Sequence, residues 1–377
     1  MLEEKVNAAF GDEEPTGFGT GWWSGVLSAF FGVLAFGAVV CLHFPQVLTS
    51  PELRPYYPMA IMRLLIQALI VAAIIFGVAS AILRKKKALG LTGMLFALAA
   101  TLLGGASVPI NQSLHEGPAI GLDWFLLDML LMTLIYSPFE VLWPAYPKQG
   151  VFRKEWLLDV GYFLSTHLPI QITSFLILLP ATQLTTFLGV PSLLEAMGRL
   201  PWLVQFFLAI LVADLAEYAI HRTFHAVPFL WRFHAIHHSS KALDWLAGSR
   251  SHLVDDVVVR AFILVPMMFV FPHDIIVAYL FFVTLHATWT HSNFRPSIKW
   301  LEPFLICPRY HHWHHTSQEE AIDKNFAIHF PWIDRMFGTH HYPEDKWPEN
   351  YGLSNEDIPA GFWGQAFYPF RRKKAAA

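Results

Sequence analysis

Long apolar runs constrain this chain more than any other feature of its sequence. Four runs of spanning length lie before residue 144, at Ser24–His43, Met59–Leu83, Ala88–Val108 and Trp124–Trp143. A helix needs about 20 predominantly apolar residues to cross the hydrocarbon core of a bilayer. Only 15% of the 377 residues are charged, against about a quarter in soluble domains. The sequence therefore predicts an all-α fold, a polytopic membrane helical bundle.

Less uniform apolar segments continue this pattern in the second half of the chain. Asp159–Leu179 and Trp202–Ile220 are long enough to span. Val257–Phe271 and Ile275–Trp289 are shorter and predict a helical hairpin around Pro272. The prediction is thus a multi-pass protein whose last two segments cross obliquely or re-enter the membrane.

Basic residues orient the predicted spans. Arg84–Lys87 follow the second span, and Lys148, Arg153 and Lys154 follow the fourth. By the positive-inside rule both loops face the cytoplasm. Counting on from these loops, the sixth span ends on the cytoplasmic side at Ile220, and the hairpin returns to that side. The polar segments that follow are therefore predicted to lie at the cytoplasmic face, in a bacterial inner membrane or in the endoplasmic reticulum.

Histidine is clustered in these polar segments. The chain has 19 histidines, and 13 of them lie between His221 and His315. Three clusters with helical spacing contain His221 and His225, then His234, His237 and His238, then His311, His314 and His315. Spacings of three and four residues bring rings onto one face of a helix. Eight imidazoles exceed the needs of one ion, so the clusters predict two metal ions; imidazole suits zinc, copper, iron and nickel alike.

Three further histidines are candidate ligands. His291 ends the predicted hairpin and is a plausible ninth ligand. His286 and His252 are either ligands or ordinary core histidines, and Asp255 follows His252 at a spacing that suits a supporting carboxylate. His312 breaks the spacing of its cluster and is predicted to point away from its neighbours.

Two carboxylates precede the first cluster on the same predicted helix. Asp214 and Glu217 lie seven and four residues before His221, on its face. Either carboxylate could accept the second ring N–H of a ligand and fix its tautomer. The alternative is a structural ion pair with a cation such as Arg222.

Other function classes receive no support from the composition. The net charge is −3, and no nucleic-acid-binding motif is present, so no nucleic-acid partner is predicted. Two cysteines, Cys41 and Cys307, cannot build a thiolate cage. A lipid-oxidising enzyme and a membrane metal transporter or metal-sensing protein are the two functions that the histidines leave open.

The ordered clusters and their flanking residues resemble the fatty acid hydroxylase/sterol desaturase superfamily of integral membrane enzymes. The resemblance extends to Arg250-Ser-His252, to His291-Ser-Asn293 and to the run from Asp334 to Thr339, and it covers Trp156–His341. It divides the chain into an N-terminal transmembrane module at 1–150, a catalytic core at 151–345 and a C-terminal cytoplasmic tail at 346–377.

The resemblance implies an activity and a ligand set. Members use a di-iron centre and O₂ to hydroxylate or desaturate lipids such as sterols, acyl chains or carotenoids, with electrons from a separate donor protein or a pterin. The eight clustered histidines match the family's ligands, whereas His252, His286 and His291 lie where members vary. Zinc can replace iron in purified protein, since zinc stands above ferrous iron in the Irving–Williams order.

Overall fold

The computed structural model describes residues 17–50, 54–109, 119–188, 191–353 and 358–371. Within these ranges the regular structure is helical, and the only extended pairing is two isolated bridges. The longer helices are α1 (Trp22–His43), α2 (Met59–Leu83), α3 (Ala88–Leu102), α4 (Leu122–Leu142), α5 (Trp156–His167), α6 (Ile170–Leu188), α7 (Pro191–Gly198), α8 (Trp202–Ala226), α9 (Pro228–His234), α10 (Leu253–Val270), α11 (His273–His291), α12 (Pro308–His314) and α13 (Pro331–Phe337). The predicted all-α fold is confirmed, although residues 354–357 and 372–377 of the predicted tail lie outside the described residues.

Five helices in the described part of the chain are long and apolar enough to cross a membrane. They are α1, α2, α3 with the turn that follows it, α4 and α8. Their mean hydropathy and their length, 20 to 25 residues, meet the requirement of a bilayer core. The chain is a multi-pass membrane protein.

The predicted span Asp159–Leu179 is not one helix. The structure divides it into α5 and α6, with a break at Leu168 and Pro169. Proline lacks the N–H that would continue the helix, and it disfavours helical backbone at the residue before it. The predicted hairpin is confirmed as α10 and α11, with Pro272 directly before the first residue of α11.

The chain forms two compact units. The first contains residues 1–131 and 168–172, and the second contains residues 132–167 and 173–377. In the first unit α1, α2 and α3 pack at close range: the Ser28 hydroxyl donates to the Ala73 carbonyl at 2.6 Å. A Cβ atom on Gly93 would overlap the backbone of Ser28. Small residues at such contacts let membrane helices approach closely.

In the second unit α8, α10 and α11 enclose an apolar core. Ala213 of α8, Met267 of α10 and Ile275 of α11 are each fully buried there. Helix α8 continues past this core and carries His221 and His225 in its last turns. The core thus fixes the position of the helix end on which the first histidine cluster lies.

Candidate metal centre

The nine histidines that come together form two groups. We call the first the five-histidine group: it contains His221, His225, His234, His238 and His314. The second, the four-histidine group, contains His237, His291, His311 and His315. In each group one ring nitrogen per residue lies within 4.8 Å of all the others. The predicted pair of metal sites therefore has a geometric counterpart in the structure.

Helical spacing decides which rings stay together. Each pair separated by four residues shares a group, namely His221 with His225, His234 with His238, and His311 with His315. The remaining histidine of the second and of the third cluster belongs to the other group. His237 lies in the four-histidine group with His311 and His315, and His314 lies in the five-histidine group. The rings of His238 and His315 stack with centroids 4.5 Å apart, so the two groups adjoin.

A sharp chain reversal brings the first two clusters into contact. Helix α8 ends at Ala226, Val227 is extended, and Pro228 begins α9. Proline suits the first position of a helix and disfavours helical backbone at the residue before it. The reversal places the ring centroids of His221 and His234 4.8 Å apart.

Hydrogen bonds to Nδ1 fix the tautomer of six rings. Each Nδ1 donates to a backbone carbonyl or a carboxylate, at 2.7 to 3.1 Å. The pairs are His221 with Phe326 O, His225 with Asp323 Oδ1, His234 with Asp255 Oδ2, His237 with Arg250 O, His291 with Ala287 O, and His314 with Lys324 O. With the proton on Nδ1, Nε2 is free to coordinate a metal.

The free nitrogens fit a cation. The Nε2 atoms of His221, His225 and His314 are buried and have no hydrogen-bond partner in the part of the chain that the structure describes. The Nε2 atoms of His237 and His291 lie 3.3 Å apart, although both rings hold their protons on Nδ1. Lone pairs that face each other in a buried site repel unless a cation lies between them. The residues therefore fit metal ions better than they fit a hydrogen-bonded core.

Burial keeps the rings in the neutral form that a metal requires. It lowers the pKa of His234 to about 3. It likewise lowers the pKa of His237, to about 4, with the neighbouring His234 as the next cause. Both rings are consequently neutral at physiological pH, and a metal ion would not have to displace a proton from either.

Residues 323–330, which we call the carbonyl loop, support the five-histidine group. The backbone carbonyls of Lys324 and Phe326 accept from His314 and His221, and the Asp323 carboxylate accepts from His225. Asp323 and Asn325 adopt left-handed backbone, with φ of 56° and 59°, which aspartate and asparagine tolerate better than most residues. The two left-handed residues shape the loop that presents these acceptors to the histidines.

Two buried carboxylates anchor the carbonyl loop. Asp214 accepts from the backbone N–H groups of Ile328, His329 and Phe330 at 2.7 to 3.2 Å. Asp334 accepts from those of Phe326 and Ala327 at 2.8 and 3.1 Å. The predicted bond from Asp214 to a ligating ring is therefore replaced by bonds to backbone amides. The carboxylates that do contact grouped histidines are Asp255, which is buried, and Asp323, which is largely exposed.

The remaining predicted site residues take other positions. His252 accepts from Val254 N–H at the start of α10 and contacts Ala366 O, and His286 contacts Ile306 O and the ring of His329. Neither belongs to a histidine group, because backbone groups and another ring occupy their nitrogens. Glu217 has no hydrogen-bond partner among the described side chains and amides. His312, which was predicted to point away from its neighbours, belongs to neither group: it is fully buried and contacts Tyr351 and the carbonyls of His291 and Ser292.

Comparison with known proteins identifies the same segment. Residues 206–339 match the family model described as fatty acid hydroxylase. They contain every member of both histidine groups. The match confirms the resemblance predicted from the ordered histidine clusters.

Similar curated proteins are lipid hydroxylases and monooxygenases. An ornithine lipid hydroxylase of Rhizobium tropici is 28% identical over 72% of this chain and 81% of its own length. Alkylglycerol monooxygenases of Danio rerio and Homo sapiens are 31% and 29% identical over 46% and 41% of this chain. The matched parts span 39% and 34% of those two proteins. No solved structure matches the chain.

Proposed function

We propose that this chain is a membrane-bound di-iron oxygenase that hydroxylates or desaturates a lipid with O₂ and electrons from an external donor. The observation that carries the proposal is the pair of adjoining histidine groups inside the segment that matches fatty acid hydroxylases. The alternative of a metal transporter or sensor finds no support in the comparisons, because the similar proteins are named as lipid-oxidising enzymes.

Nine imidazoles would hold two iron ions, with zinc able to occupy the same nitrogens in purified protein. Iron would supply the reduction of O₂ and the oxidation of a C–H bond. The residues of the chain orient the nitrogens through Nδ1, keep the rings neutral and shield the groups from water, since His311, His314 and His315 are each at most 4% exposed. Such a closed site protects a reactive centre from side reactions.

The proposed substrate class rests on the names of these relatives, of which the ornithine lipid hydroxylase matches 72% of this chain. The Rhizobium tropici protein acts on ornithine lipid by its name, and the vertebrate proteins act on alkylglycerols by theirs. We therefore propose a membrane lipid with a polar head group as the substrate. The electron donor is a separate redox protein or a pterin, and the site lies at the cytoplasmic face.

Oxygen consumption tests the proposed reaction. Iron-loaded protein in detergent, given a chemical reductant and a total lipid extract, should consume O₂ and yield a lipid that has gained one oxygen atom or lost two hydrogen atoms. Lipid extracts from cells with and without the gene should show the same mass difference. Metal flux in liposomes without O₂ consumption would instead support the transporter.

Cysteine labelling tests the proposed orientation. Lys86→Cys and Glu319→Cys should both resist a membrane-impermeant thiol reagent added outside intact cells, because the positive-inside rule places both positions in the cytoplasm. Both variants should react after the cells are opened. Labelling of either residue from outside would contradict the proposed topology.

A further inference from the structure

Two rings of the four-histidine group contact one loop, residues 244–250, which we call the ion-pair loop. The Arg250 carbonyl accepts from His237 Nδ1 at 2.9 Å. Gly248 lies directly against His291: a Cβ atom on Gly248 would be 3.0 Å from both Cβ and Cγ of that histidine, and 3.2 Å from its Nδ1. One hydrogen bond and one close contact thus connect this loop to two of the four rings.

Buried ion pairs hold the ion-pair loop at both ends. Arg153 contacts Asp244 and Asp159, each at 2.6 Å, and Arg250 contacts Asp159 at 2.5 Å and Glu155 at 3.1 Å. The side chains of Arg250 and Asp159 are completely buried. Because Asp159 joins both arginines, the two ends of the loop belong to one network.

A hydrogen bond inside the loop extends this network toward Gly248. The Asp244 carboxylate accepts from the backbone N–H of Ala247 at 2.8 Å, one residue before the glycine. Buried ion pairs often contribute little net stability compared with apolar packing, but they are strongly directional and require their partners in fixed positions. Their chemistry is therefore suited to fixing a position.

We propose that Arg153, Asp159, Asp244 and Arg250 are positioning residues for the metal site of the four-histidine group. They act through Gly248 and the Arg250 carbonyl, which set the rings of His291 and His237. The five-histidine group takes its Nδ1 acceptors from Asp255 and the carbonyl loop instead. The two metal sites consequently have separate supports, and one can be weakened without the other. This inference rests on the proposed metal centre but not on turnover.

A glycine substitution tests the contact with His291. Gly248→Ala adds only a methyl group, which must displace the His291 ring, and leaves every ion pair in place. Gly161→Ala is the matched control, because a Cβ there meets only Phe362 at 3.6 Å, an ordinary contact, inside helix α5. Metal-free protein in detergent is titrated with Zn²⁺ against a competing chelator, and thermal unfolding is recorded in parallel.

We expect wild type and Gly161→Ala to bind two ions with the same affinities. Gly248→Ala should bind one ion as wild type does and the other about 10- to 100-fold more weakly, as when the partner of a ligand is lost. A folded Gly248→Ala protein with both affinities unchanged, or both reduced equally, would overturn the inference. If Gly248→Ala weakened the binding of only one ion but the wild-type protein oxidised no lipid, the inference would stand and the proposed function would be contradicted.

An ion-pair variant tests the network itself. Arg153→Lys keeps the charge but cannot contact Asp159 and Asp244 through two separate nitrogens. We expect it to reduce the same affinity as Gly248→Ala, with the double variant little weaker than either single variant, because both act through one loop. Weakening of the five-histidine site instead, or no weakening of either site in folded protein, would contradict the network's role.

Discussion

The two histidine groups offer the same type of ligand, the imidazole ring, but different parts of the structure hold those rings in place. In the five-histidine group, backbone carbonyls and carboxylates accept from Nδ1, and the loop that carries most of these acceptors is held by bonds from its amides to Asp214 and Asp334. In the four-histidine group the supporting loop is held by arginine–aspartate pairs. The Asp214 carboxylate accepts from amides through both of its oxygens, so it requires two acceptor atoms, whereas an ion pair requires the charge. The two sites should therefore respond differently to substitutions that remove charge but preserve shape.

Removal of a ligand should have the largest effect. His314→Ala and His237→Ala each delete one nitrogen, from the five-histidine and the four-histidine group respectively. Both should abolish lipid oxidation, while metal analysis should show the loss mainly in the affected group. Expression and membrane insertion should be retained, because neither His237 nor His314 lies in a spanning helix.

The control for these variants is His273→Ala, at the exposed start of α11. It should leave turnover and metal content near those of wild type. If His273→Ala were as damaging as His237→Ala, the assignment of the ligands would be wrong.

Loss of the Asp214 charge should have an intermediate effect. Asp214→Asn keeps one acceptor oxygen but turns an NH₂ group toward amides that already donate, so a buried donor loses its partner at a cost of about 1–3 kcal/mol. The shift should pass through the carbonyl loop to His221 and His314 and lower activity about 10- to 100-fold. Metal affinity should fall only at the five-histidine group.

Metal content and turnover per folded molecule decide between two roles for Asp214. Under a purely structural role, Asp214→Asn would lower the midpoint of thermal unfolding while the folded fraction kept full metal and full specific activity. Such a result would also count against the difference proposed between the two groups. It would mean that the carbonyl loop can shift without changing metal binding by the histidines that it contacts.

The smallest effect is expected at Asp323. Its carboxylate contacts His225 Nδ1 at 3.1 Å, but the Asp323 side chain is 64% exposed. Water can therefore replace the lost acceptor, and the contact contributes little free energy. Asp323→Asn, which keeps an acceptor and still tolerates left-handed backbone, should reduce affinity at the five-histidine group by no more than about threefold. The same Zn²⁺ titration measures this affinity. If Asp323→Asn reduced it as much as Asp214→Asn does, solvent exposure would not explain which supporting carboxylate matters more for metal binding.

The sequence by itself determined most elements of the fold and the three clusters that supply eight of the nine grouped histidines. Apolar length predicts each of the five described helices that are long enough to span, because a bilayer accepts few other structures, but it also predicted a span at Asp159–Leu179 that the structure divides. Spacing of four residues alone places His221 with His225, and His311 with His315, because helical geometry fixes the relative direction of those rings. The break at Pro169 could also have been read from the sequence, since proline at that position ends a helix for local reasons.

Only the tertiary structure decided how the histidines divide and what supports them. His237 and His314 each belong to a different group from the other histidines of their sequence cluster. This division depends on how α9 packs against α8 and on the position of α12 beside these two helices. The amides bound by Asp214 lie more than a hundred residues away in the chain, so helical spacing, which suggested a bond to an adjacent turn, could not predict them. Local geometry fixes the direction of a side chain, whereas the identity of a distant partner depends on which segments the folded core brings together.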